Sequence, residues 1–67
     1  MRLFVMLKDN SAYTIMLPEM TATPSDYMRM LTQIPDFNCS NGYMVTEAGG
    51  DCFFFDYDEV VVMKVLK

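Results

Sequence analysis

The stretch that most limits how this chain can fold is Cys52-Phe53-Phe54-Phe55-Asp56-Tyr57-Asp58-Glu59-Val60-Val61-Val62-Met63-Lys64-Val65-Leu66, in which eleven of fifteen residues are apolar. Most are aromatic or β-branched, the types that suit a pleated, partly buried surface. Apolar and polar residues do not alternate cleanly, so a strand made from this run is apolar on both faces. The polar break Asp56-Tyr57-Asp58-Glu59 divides it into two strands, Cys52 to Phe55 and Val60 to Leu66. A chain of 67 residues has few elements with which to cover two faces of a sheet. The mismatch points to a partner, and a second copy of the chain is the simplest one.

Upstream, Arg2 to Lys8 reads as a first strand and Tyr13 to Leu17 as a second, ended by Pro18. Asp9-Asn10-Ser11 supplies turn chemistry through side chains that hydrogen-bond nearby backbone. Leu3, Val5 and Leu7 should share a face with Tyr13, Ile15 and Leu17. That parity sets Leu7 opposite Tyr13 and Val5 opposite Ile15, with a connection of three or five residues and not two. The other face of this hairpin carries Phe4, Met6 and Met16, which are apolar again.

Thr23-Pro24-Ser25-Asp26 is a helix start: a capping hydroxyl, a proline suited to the first helical position, and an acid in the first turn. Tyr27, Met30, Leu31 and Ile34 then follow at helical spacing as one apolar stripe, with Met28 off it and Asp26, Arg29 and Gln33 on the other side. Pro35 ends a helix of about ten residues. Asp36 to Gly42 reads as a loop with Asn41-Gly42 as its turn dipeptide. Tyr43 to Glu47 is a third strand, and Gly49-Gly50 makes a tight hairpin into the fourth. The order is ββαβββ in one domain spanning residues 1–67. The fold class is α+β, a small antiparallel-rich sheet with one amphipathic helix on one face. A strongly curled sheet or small barrel is the alternative.

Composition removes most chemistry. There is no histidine, hence no common general base, no Ser–His or Cys–His pair, and no imidazole metal ligand. Gly49-Gly50 lacks the length and the Lys-Ser/Thr of a phosphate loop. Asp51, Asp56, Asp58 and Glu59 lack the spacing of a calcium loop. Cys39 and Cys52 lack Cys-x-x-Cys spacing, and Cys52 beside three phenylalanines reads as a small buried hydrophobe. No enzyme activity, cofactor or metal is expected. The first apolar run stops at Lys8-Asp9-Asn10, too short for a signal-peptide core or a membrane span, so a cytoplasmic location with reduced thiols is expected.

Net charge is −4 with five scattered cations, and acids flank the phenylalanine run, which disfavours nucleic acid. The functional expectation is a non-catalytic protein-interaction module that self-associates as a homodimer through an apolar sheet face or edge, or that binds another protein. Its candidate interface is Phe4, Met6, Met16, Phe54, Val60 and Val62. The alternative is a regulator that binds nucleic acid, or an acidic competitor for a basic partner surface.

Overall fold

The computed structural model describes residues 1–33, 38–39 and 41–67. Along the chain run β1 (Arg2–Leu7), β2 (Ala12–Met16), α1 (Pro24–Gln33), β3 (Asn38–Cys39), β4 (Gly42–Thr46), β5 (Cys52–Asp56) and β6 (Val60–Leu66). The α+β class and the ββαβββ order hold, with the two-residue β3 added inside the expected 36–42 loop. The strands form two antiparallel three-stranded sheets, β2-β1-β6 and β3-β4-β5, and no closed barrel. The two halves of the C-terminal apolar run therefore belong to different sheets. The turn between them is closed by the Glu59 N–H donating to the Asp56 carbonyl at 3.1 Å.

The first hairpin pairs Leu3 with Ile15 and Val5 with Tyr13. This register is two residues away from Val5 opposite Ile15, and a two-residue shift keeps every side chain on its expected face. The connection decides it. Leu7 N–H donates to the Ser11 carbonyl at 2.9 Å, and Asn10 N–H to the Leu7 carbonyl at 3.0 Å. Three residues make the loop, and Asn10 takes the left-handed conformation (φ 71°) that such a loop requires and asparagine tolerates. Asp9 holds the bend by accepting from the Ser11 N–H at 2.9 Å and from its hydroxyl. The β4–β5 hairpin repeats the design: Glu47 N–H reaches the Asp51 carbonyl at 2.8 Å, with Gly50 at φ 99°.

On its other side β1 pairs with β6, from Arg2 opposite Leu66 to Met6 opposite Val62, after which a bulge sets Leu7 opposite Val60. Two further backbone bonds extend the β1–β6 pairing and join the β4–β5 turn to the end of β2. Lys8 N–H donates to the Glu59 carbonyl at 2.9 Å, and Ala48 N–H, from the β4–β5 turn, donates to the Met16 carbonyl at 2.8 Å.

Between the layers lies the core: Leu3, Val5, Ile15, Leu17, Tyr27, Leu31, Val45 and Phe55. Burying such side chains stabilises the fold by about 1.5–3 kcal/mol each. Tyr27 and Leu31 are the buried residues of α1, so the helix lies on the same side of the first sheet as the second sheet does. Burial pushes the Tyr27 phenol above its ordinary pKa. Met28, expected off the stripe, packs against the core, and Met30, expected on it, lies instead beside Asp26, Arg29 and Gln33. At 100° per residue each flanks the Tyr27–Leu31 line by about 80°, so periodicity alone does not choose between them. Ile34 and Pro35, expected to complete and end the stripe, lie outside the described residues. No helix among the described residues is long and apolar enough to cross a membrane.

A reciprocal cap opens the helix. Asp26 N–H donates to Thr23 Oγ1 at 3.2 Å, and Thr23 N–H donates to Asp26 Oδ2 at 3.4 Å, a capping box with aspartate in the usual place of glutamate. The Thr23 hydroxyl and N–H, with a smaller contribution from Arg29, hold the Asp26 carboxyl below its ordinary pKa. Removing the hydroxyl with Thr23→Ala should cost about 1 kcal/mol in a urea titration. Because the Asp26 pKa is lowered, its contribution is present above the unfolded value and is lost as pH falls through the folded one. Asp26→Asn should therefore flatten the acid limb of the stability profile.

Candidate interaction surface

The register of β1 with its two neighbours lays out the outer face of the first sheet in three rows. Met16, Arg2 and Leu66 form one row, Thr14, Phe4 and Lys64 the next, and Ala12, Met6 and Val62 the third. None of these nine residues is buried. Neither the helix nor the second sheet covers them, since both pack on the opposite face against Leu3, Val5 and Ile15. Four of the residues singled out from the sequence, Phe4, Met6, Met16 and Val62, thus converge on one uncovered surface. Met16 is 55% exposed and Leu66, which the sequence reading missed, 37%.

The other two part company with them. Val60 has the parity of Val62, but the bulge between Met6 and Leu7 turns it to the inner side, where it packs against the core. Phe54 lies on the second sheet, opposite Met44, on the face away from Val45 and Phe55. Its ring is 45% exposed and covers Gly42. A Cβ at Gly42 would meet the Phe55 carbonyl oxygen and lie 2.5 Å from the Phe54 ring. Cys52 shares the Phe54 face and is exposed, with Sγ 3.7 Å from Thr46 Oγ1. Strand parity overrides the expectation of a buried thiol.

Ring contacts continue across the molecule. Tyr13 meets Phe55 between the sheets with centroids 5.8 Å apart, and Tyr43 meets Tyr57 edge-on at 4.8 Å. On the β4–β5 hairpin, Glu47 and Asp51 face each other as two carboxylates. Their shared hydrogen bond, with partial desolvation and the Asp51 charge, holds the Glu47 carboxyl above its ordinary pKa.

No group of three or more His, Cys, Asp or Glu side chains among the described residues is placed to hold a metal ion. A shallow depression on the outer flank of α1 is lined by Asp26, Arg29, Met30 and Gln33. Its two charges are already joined as an ion pair. No family model, curated protein or solved structure matches the chain.

Gly42→Ala should destabilise the fold by about 2 kcal/mol, the cost of overpacking against backbone that does not give way. Phe54→Ala in the same chain should recover only the part due to the ring, as read by a double-mutant cycle in denaturant. A second expectation concerns pH. With Glu47 raised, its proton-sharing contribution is present below the unfolded pKa and lost as pH rises through the folded value. Asp51→Asn keeps a hydrogen-bonding partner and removes the repulsion. Its melting temperature should therefore gain on the parent as pH rises from about 4 to about 7.

Proposed function

We propose that this chain is a non-catalytic protein-interaction module that self-associates through uncovered sheet surface, with the outer face of the first sheet as a principal contact. The observation that carries this reading is the convergence of Phe4, Met6, Met16 and Val62 on a face with no buried residue. Exposed contiguous apolar surface on a small protein usually marks an interface. Here the exposed side chains occupy neighbouring positions on three adjacent strands, where a partner excludes water from all of them at once.

The contact is small. Three strands about 4.8 Å apart and five residues long at about 3.3 Å each give a face roughly 14 Å by 17 Å. A standard stable interface takes roughly 800 Å² per partner, so association of modest strength is the expectation. A second reading, single-stranded nucleic acid stacked on Phe4 between Arg2 and Lys64, is favoured by the adjacency of that ring to Lys64. One ring and two cations supply little stacking and little phosphate neutralisation.

Sedimentation velocity from about 10 µM to about 1 mM spans contacts of roughly 4–7 kcal/mol. The weight-average mass should rise above 7.7 kDa with concentration. Met16→Glu should reduce the rise and leave the circular dichroism unchanged. A species of constant monomer mass up to about 1 mM overturns the proposal, and a shift of single-stranded oligonucleotide at low salt favours the second reading.

A further inference from the structure

Charge on this molecule is divided by face. The outer face of the first sheet has two cations, Arg2 and Lys64, and no carboxylate among its nine residues. Residues 41–59, which hold β4, β5 and both turns that flank them, contain Glu47, Asp51, Asp56, Asp58 and Glu59 and no lysine or arginine. Within this acidic half, the outer face of the second sheet carries its own apolar group, Phe54 beside Met44, with Asp56 on the same face. Asp56 and Asp58 are exposed. Glu47 and Asp51 add a second pair of carboxylates at the β4–β5 turn.

These two surfaces are complementary in charge, and each carries an apolar group. Packing the first sheet's outer face on its own copy needs a two-fold axis lying between the two sheets. With the axis along β1, Arg2 falls on the partner's Arg2. With the axis across the strands through Phe4, Lys64 falls on the partner's Lys64. In both of these arrangements like charges face each other, which disfavours them. Packed instead on the second sheet of a neighbour, Arg2 and Lys64 can meet Asp56, the carboxylate that shares the face of Phe54 and Met44, while Phe4, Met6 and Met16 can meet those two apolar side chains.

We infer that self-association is head-to-tail: the cationic apolar face of the first sheet docks on the acidic apolar face of the second sheet of another copy. This rests on the self-association proposed above and specifies its partner surface. A contact between two different patches does not close on itself as a two-fold dimer does. It leaves one face of each kind free at the ends, so chains or a ring grow with concentration. Salt should weaken it, since the paired charges lie at the rim of a small contact.

The test is complementation between two blocked variants at exposed positions. Met16→Glu puts an acid on the cationic face and leaves the second sheet intact. Phe54→Lys puts a cation on the acidic face, keeps an aliphatic stem over Gly42, and leaves the first sheet intact. Each alone should stay monomeric at concentrations where the parent has assembled beyond the dimer. Mixed, they should form a 1:1 pair and stop there. In amide spectra of labelled Met16→Glu, unlabelled Phe54→Lys should shift the β5 signals around Phe54 and Asp56. If Phe54→Lys still dimerises as the parent does, or if the mixture stays monomeric while the parent assembles, the head-to-tail arrangement is overturned and self-association stands. A parent that remains monomeric overturns both.

Discussion

The structure depends on β1 being the middle strand of its sheet. Its neighbours are β2, which follows it directly, and β6, which arrives from the far end of the chain. Only a strand paired on both edges has its hydrogen bonds satisfied laterally, which leaves its two faces to be settled by packing. One face places Leu3 and Val5 at no exposure against Tyr27, Leu31, Val45 and Phe55. The other places Phe4 and Met6 under nothing. Everything else follows from feeding β6 into that position. The turn after Asp56 must carry the chain out of the second sheet, and the bulge at Leu7 must absorb the residue left over where the two strands converge.

How much of this the residues reveal depends on whether the deciding interaction is local. Both three-residue hairpins are written in short-range chemistry, Asn10 and Gly50 at the left-handed positions, and parity alone assigns Leu3, Val5 and Ile15 to one face. Thr23 and Asp26 announce the helix start. The register of the first hairpin is less accessible, because shifts of two residues preserve the alternation. The choice between Met28 and Met30 is set by where the sheet lies relative to the helix, a tertiary fact. So is the inward turn of Val60, since a bulge leaves no mark in a run of three valines. The division of strands between two sheets depends on long-range pairing that periodicity does not encode.

The candidate surface shows the same limit. Phe4, Met6, Met16 and Val62 are recognisable as a surplus of apolar side chains over covering elements. That Arg2 and Lys64 share their face emerges only when β1 and β6 are laid side by side. A net charge of −4 hides this local cationic pair.

The pairing of β1 with β6 also bears on how the chain becomes ordered. Arg2 and Leu66 are partners, so β1, made before β6, waits for it before their sheet is complete. Contacts this distant in sequence slow folding, since the closure entropy of the intervening loop is met before the pairing rewards it. During synthesis the first hairpin is a two-stranded ribbon, marginal in water by itself, with Leu3, Val5 and Phe4, Met6 both open. Newly made chains pass through a stage in which an apolar strand has one edge vacant and neither face covered. Crowded polysomes are where off-pathway pairing would begin.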